Sequence, residues 1–121
     1  MKRTLVIGAS TNPERYSFKA AILLIKHGHE LVLYGIKKGD ISGNQFETDL
    51  SVLPENEIDT VTLYVGPQNQ EQWIDFILKV NPKRIIFNPG TENMDLWNKA
   101  TSAGIYCEEA CTLVLLNTNQ Y

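Results

Sequence analysis

The chain has 121 residues, a formal net charge of −3, 43% hydrophobic residues and 21% charged ones. These values fit one ordinary globular domain and exclude a disordered or collagen-like chain. The slight acidity argues against nucleic-acid binding through overall charge, and no apolar run approaches the roughly 18 residues of a membrane-spanning helix.

The first apolar run, Thr4-Leu5-Val6-Ile7, is short and reads as a strand covered on both faces. Gly8 cuts it off too early for a signal peptide, so the expectation is a cytoplasmic chain. After a polar loop over 8–17, Phe18, Ala21, Ile22 and Ile25 recur at helical spacing, and Gly28 stands where a left-handed cap ends a helix. Glu30-Leu31-Val32-Leu33-Tyr34 is the second strand. From 35 to 59 glycines and Pro54 interrupt the pattern, leaving room for a very short strand around Gln45-Phe46. Residues 60–65 are a strong β run stopped by Gly66-Pro67. A helix over 69–80 is predicted to bury Trp73, Phe76, Ile77 and Val80. Arg84-Ile85-Ile86-Phe87 is a strand, Asn88-Pro89-Gly90 a turn, and 94–103 a helix with Trp97 and Ala100 inward. On this reading Trp73, Phe76 and Trp97 are core residues, not stacking platforms. Ile105-Tyr106-Cys107 is the last strand, and 111–116 is apolar but too short for its periodicity to reveal its type.

Strands joined through helices run parallel, and right-handed crossovers put helices on both faces of the sheet. The expected fold is therefore α/β: a three-layer, Rossmann-like, doubly wound parallel sheet in a single domain over residues 1–121. Cys107 and Cys111 are too few for a disulfide scaffold, lack zinc-site partners, and read as reduced core thiols.

In open parallel sheets, ligands bind beyond the carboxyl ends of the strands where strand order reverses. That rule selects the loops over 8–17, 35–38, 66–68, 88–93 and 108–112. Glycine is common in such turns for conformational reasons alone. Its recurrence at Gly8, Gly35, Gly66 and Gly90 along one edge reads as access of a ligand to the backbone. Gly8-Ala9-Ser10-Thr11-Asn12-Pro13, leading into a helix, offers N–H groups, hydroxyls and a helix amino terminus to a phosphate. It is neither the G-x-G-x-x-G dinucleotide fingerprint nor a Walker loop. No acidic residue ends the second strand to hold the ribose of NAD. Lys37 and Lys38 follow instead, suiting a phosphate on the ribose as well as a plain solvated turn.

Hydrolytic or transfer chemistry finds little support. His27 and His29 flank a turn at the opposite edge from the ligand loops. Glu108 and Glu109 are adjacent on a strand and point to opposite faces. Ser10 and Cys111 have no histidine at a compatible edge to activate them. No catalytic residue and no metal ligand is predicted.

Four segments taken together carry a resemblance: Gly8-Ala9-Ser10-Thr11-Asn12-Pro13-Glu14-Arg15-Tyr16-Ser17, Thr62-Leu63-Tyr64-Val65-Gly66-Pro67, Phe87-Asn88-Pro89-Gly90-Thr91-Glu92-Asn93 and Cys111-Thr112-Leu113-Val114. In order and spacing they resemble the small single-domain CoA-binding proteins, which look like the CoA-binding domain of the succinyl-CoA synthetase α subunit standing alone. The resemblance implies a Rossmann fold that binds CoA or an acyl-CoA, with no catalytic activity established for the family. The charge and the lack of a long apolar run separately lead to the expectation of no nucleic-acid or membrane partner. By analogy Gly8, Ala9, Ser10 and Asn12, with Arg15 and Lys19 nearby, hold the CoA phosphates. Gly35, Lys37 and Lys38 lie near the adenosine and its 3'-phosphate. Val65, Gly66 and Pro67, with Asn88, Pro89 and Gly90, line the nucleotide and pantetheine path, and Glu109, Cys111 and Thr112 close the far side.

Two places depart from the relatives. Gly35-Ile36 stands where proline or asparagine is frequent, and Gln45-Phe46-Glu47 where a short apolar strand is common. The synthetase's phosphohistidine partner domain has no counterpart in this sequence, so ligase chemistry does not carry over. Two alternatives remain: an NADP-dependent reductase, disfavoured because 121 residues leave no second domain to hold a substrate over a nicotinamide, and a nucleotide-binding subunit that lends its pocket to a larger enzyme complex.

Overall fold

The computed structural model describes residues 2–49, 51 and 53–121. Its strands are β1 (Thr4–Ile7), β2 (Leu31–Tyr34), β3 (Asp40–Ile41), β4 (Asn44–Glu47), β5 (Thr60–Leu63), β6 (Arg84–Phe87) and β7 (Tyr106–Glu109). The helices are α1 (Tyr16–Lys26), α2 (Glu71–Val80), α3 (Met94–Ser102) and α4 (Thr112–Asn117). The strands form one sheet in the order β3-β4-β2-β1-β5-β6-β7. All pairings are parallel except β3 with β4. The chain steps from β1 to β2 on one side and returns to β5 on the other, so strand order reverses at β1. This is the Rossmann-like α/β architecture, and the reversal opens a crevice at the carboxyl end of β1.

The strands are short apolar runs because both faces are covered. Leu5, Ile7, Val61, Leu63, Ile85 and Phe87 pack against Ile74 and Ile77 of α2 and Leu96 and Ala100 of α3. On the opposite face Val6 and Leu33 meet Ala21 and Leu24 of α1 and Leu116 of α4. The buried stripe of α1 differs from the one its largest apolar residues suggested. Ser17, Ala20, Ala21 and Leu24 are buried, while Phe18 and Ile25 are half-buried and Ile22 is exposed. Small side chains facing the sheet let a helix backbone lie close to it, and counting large hydrophobes misses such a face.

Three further differences bear on the site. The irregular stretch holds a hairpin, β3–β4, turned by Ser42 and Gly43 with φ of 51° and 85°. Two left-handed residues in a row are the hairpin turn that matches strand twist, so the sheet is mixed at this edge. A 3₁₀ turn over Pro67–Asn69 precedes α2, which starts at Glu71. β7 runs on to Glu109, which takes both glutamates out of the following loop, and 112–117 is helical.

At the amino edge of the sheet the Tyr121 ring lies 4.5 Å from the Arg84 guanidinium and 4.9 Å from the His29 ring. Nδ1 of His29 accepts the Lys2 backbone N–H at 3.0 Å. Burial, reinforced by nearby positive charge including Lys2, His27 and Arg84, holds the His29 pKa below its usual 6.5. The folded state therefore prefers neutral His29, so its contribution is present above pH 6.5 and lost as pH falls below it. A thermal midpoint followed from pH 8 to pH 5 should drop across that window. In His29→Gln the drop should be smaller, and an unchanged profile would remove His29 from the acid response.

Candidate functional site

The loop after β1 is tied down by its own polar groups. The N–H groups of Gly8 and Ala9 both donate to the Tyr34 carbonyl, at 3.0 and 2.9 Å, which binds the ends of β1 and β2 together. Oγ of Ser10 accepts from the Asn12 N–H at 3.1 Å, Oδ1 of Asn12 from the Glu14 N–H at 3.0 Å, and the Asn12 carbonyl from the Arg15 N–H at 3.0 Å. Among the described residues, the N–H groups of Ser10, Thr11, Tyr16, Ser17 and Phe18 have no protein acceptor. α1 has no side-chain cap and no acidic residue in its first turn. Its amino terminus is therefore an unfilled set of donors at the positive end of the helix dipole.

Of these, Ser10, Thr11, Tyr16 and Ser17 border a cleft of about 680 Å³ at the reversal point of the sheet. Its charged side chains, Arg15, Lys37 and Lys38, all lie on the side of α1 and β2, and none is a carboxylate. The other wall, Val65 and Gly66 with Pro89, Gly90 and Thr91, carries no charge. Gly35 is essential to the narrow end: a Cβ there would lie 2.9 Å from the Ala9 carbonyl oxygen and 2.9 Å from the Phe46 ring. Tyr64 forms part of the wall, and burial pushes its phenol up to about 12, so it stays protonated.

Of the residues expected at the site, the cleft brings together Gly8, Ala9, Ser10, Asn12 and Arg15, then Gly35, Lys37 and Lys38, then Val65, Gly66, Pro89 and Gly90. Lys19, Pro67, Asn88, Glu109, Cys111 and Thr112 are not among its lining residues. The Lys19 ammonium lies 5.4 Å from the ring centroid of Tyr16, which does border the cleft. Asn88 is 2% exposed and turned inward: Nδ2 donates to Thr62 Oγ1 at 2.7 Å and the Leu63 carbonyl at 2.8 Å, and Oδ1 accepts the Thr112 N–H at 2.9 Å. Thr112 adds a hydroxyl contact to Thr62 at 2.8 Å. Both shape the rim from beneath instead of facing it. Glu109 is exposed at the end of β7, and Cys111 is half-buried at the start of α4.

Trp73 corrects an expectation. Expected in the core, it packs against the core's edge but is half-buried and also forms cleft wall, edge-on to Tyr34 with ring centroids 4.6 Å apart. Its place in the first turn of α2 sets it at the carboxyl edge of the sheet, where a helix face that is core further down opens on the crevice. Ser17 ends the loop over 8–17 that topology selects, but no role was expected of it. It is 4% exposed, lines the cleft, and its hydroxyl has no partner among the described residues. Its position in the first turn of a helix after a glycine-led loop was the signal available. Among the described residues no three His, Cys, Asp or Glu side chains gather as a metal site, and no helix is long and apolar enough to cross a membrane.

A search of curated proteins finds no match. Among solved structures, the crystal structure of an uncharacterized protein is 43% identical, with TM-score 0.95 over 100% of this chain and 98% of that one. A hypothetical protein from Pyrococcus horikoshii OT3 is 24% identical, with TM-score 0.85 over 97% of this chain and 82% of its own. The dinucleotide-forming acetyl-coenzyme A synthetase 1 of Ca. Korarchaeum cryptofilum shares the fold at 17% identity and TM-score 0.72, over 88% of this chain and 25% of that protein. A model of the CoA binding domain matches residues 2–117, which include every loop that borders the cleft. On that match the chain belongs to the CoA-binding domain family.

Proposed function

We propose that the protein binds CoA, free or as an acyl thioester, reversibly, in the cytoplasm, and without chemistry of its own. The observation that carries this reading is the division of one cleft into a basic, donor-rich half and an uncharged half. CoA has the same division. Its pyrophosphate and 3'-phosphate need N–H groups and cations, and its pantetheine arm carries amides but no charge. The free N–H groups of Ser10 and Thr11 and of the first turn of α1, with Arg15 beside them, fit a pyrophosphate. Lys37 and Lys38, just beyond β2, fit a phosphate on the ribose. Val65 to Gly66 and Pro89 to Thr91 then offer an uncharged path for the arm.

The proposal of binding without catalysis is supported by the side chains that face the ligand space. Ser10, Thr11 and Ser17 supply hydroxyls, but the lining includes no imidazole, carboxylate or thiol to act as base or nucleophile. Calorimetric titration with CoA, dephospho-CoA, NADP and NAD tests the assignment. CoA should bind tightest, with dephospho-CoA weaker by about tenfold for loss of one charge-assisted contact set. Tighter binding of NADP than of CoA would overturn the reading in favour of a reductase.

A further inference from the structure

We infer that Gln70 is a positioning residue for this cleft: its buried carboxamide fixes the separation of the loops after β5 and β6 and so presets the uncharged half of the binding surface. The inference rests on the CoA reading above, because it concerns the part of the ligand that lies beyond the phosphates.

Gln70 sits between the 3₁₀ turn and α2 and is 0% exposed. A buried carboxamide is costly unless its donors and acceptor are paired, and here they are. Nε2 donates to the Val65 carbonyl at 2.9 Å and to the Thr91 carbonyl at 2.7 Å, and Oε1 accepts from Nδ2 of Asn93 at 3.1 Å. Val65 and Thr91 both border the cleft, one on each loop. Asn93 in turn caps α3, its Oδ1 accepting the N–H groups of Asp95 and Leu96 at 3.0 and 3.3 Å. One side chain thus holds the loop after β5, the loop after β6 and the start of α3 in a single arrangement.

A hydrocarbon of similar size could fill the same space. What the amide adds is geometry, since two carbonyls drawn to one nitrogen must stay close together. Among the described residues, no hydrogen bond other than those of Gln70 joins 64–70 to 89–93. The basic half is held differently, by the Tyr34 carbonyl and the side chains of Ser10 and Asn12. Apart from the Tyr64 N–H, which donates to the Ile7 carbonyl at 2.8 Å, the two halves depend on separate hydrogen bonds. Loss of Gln70 loosens one without touching the other, and a ligand reaching into the loosened half must then order it on binding.

The test is Gln70→Met, with CoA and ADP titrated calorimetrically at a temperature where circular dichroism shows the variant folded. ADP carries the adenosine and pyrophosphate and none of the arm. CoA affinity should fall about tenfold, while ADP affinity stays within about twofold. Unchanged CoA affinity, or equal losses for both ligands, would overturn the positioning role, the second because it signals general disorder. If the wild-type protein binds no CoA, the CoA reading itself fails, a result separate from any behaviour of the variant. Should Gln70→Met not fold, NMR of the wild-type protein decides. The Gln70 side-chain amide protons should be protected from exchange, and their shifts should move on adding CoA but not ADP. Unprotected protons, or shifts blind to CoA, would overturn the inference.

Discussion

Gly8→Val is expected to abolish CoA binding and to destabilise the fold by about 3–5 kcal/mol. Gly8 has φ of +98°, where a β-branched residue is strained by roughly 1–2 kcal/mol before any contact is considered. A Cβ at that point lies 3.0 Å from both the carbonyl carbon and the oxygen of Tyr64, and 3.1 Å from Cγ1 of Val65. The first two atoms are backbone at the end of a central strand and cannot rotate away. Either the loop lifts, breaking the bonds from Gly8 and Ala9 to the Tyr34 carbonyl, or the end of β5 gives way. Both responses move the free N–H groups of Ser10 and Thr11 off the cleft. Against a total stability of about 5–15 kcal/mol for a domain of this kind, urea denaturation should show a marked loss of midpoint. Gly28→Ala is the control. It also has positive φ, +82°, but open space around the added carbon and a place at the far edge of the sheet. It should lower stability by about 1 kcal/mol and leave CoA affinity unchanged. A Gly8→Val protein that binds CoA like the wild type would show that this loop does not hold the phosphates.

The parallel core was legible because burial on both faces leaves a plain mark. Thr4-Leu5-Val6-Ile7 and Arg84-Ile85-Ile86-Phe87 contain few polar residues, and each forms a strand in the parallel sheet, as expected. Of the hairpin only the short strand around Gln45-Phe46 was legible, and the rest was hidden for the opposite reason. β4 alternates half-buried and exposed residues and meets β2 only through Leu33 with Phe46 and Tyr34 with Glu47, so its sequence shows no core face. The edge of the sheet that bears the cleft also followed from topology, since the turn after each parallel strand emerges on one side. What topology does not give is the direction of each side chain in those turns. Asn88 and Thr112 are polar residues in the right loops, yet both turn inward because buried carbonyl and hydroxyl groups of β5 need partners. Trp73 is a large apolar residue on the core-facing side of an amphipathic helix, yet it borders the crevice because it stands in the first turn. Whether a residue in these loops faces ligand or core is decided by long-range pairing, and spacing along the chain does not carry that.

Replacing Lys37 and Lys38 together by glutamate is expected to weaken CoA about a hundredfold at low salt and dephospho-CoA by about tenfold or less. The two lysines follow Gly35 and Ile36 at the basic end of the cleft, both are exposed, and neither forms an ion pair among the described residues. An exposed pair is worth only about 0.2–1 kcal/mol, but a phosphate dianion between two ammonium groups gains from both, and reversal replaces that gain with repulsion. The sum reaches roughly 2–3 kcal/mol, which corresponds to the stated factor. Because the interaction is exposed, raising the ionic strength should shrink the difference between wild type and variant as the screening length falls below about 8 Å. Stability should change by less than about 0.5 kcal/mol, since no folded-state partner of either side chain is lost, and that separates a local charge effect from a damaged fold. The comparison of the two nucleotides locates the effect. A loss confined to CoA places the 3'-phosphate at these lysines. Equal losses would mean that they act through the general potential of the cleft, and no loss for either would move the adenosine end away from β2.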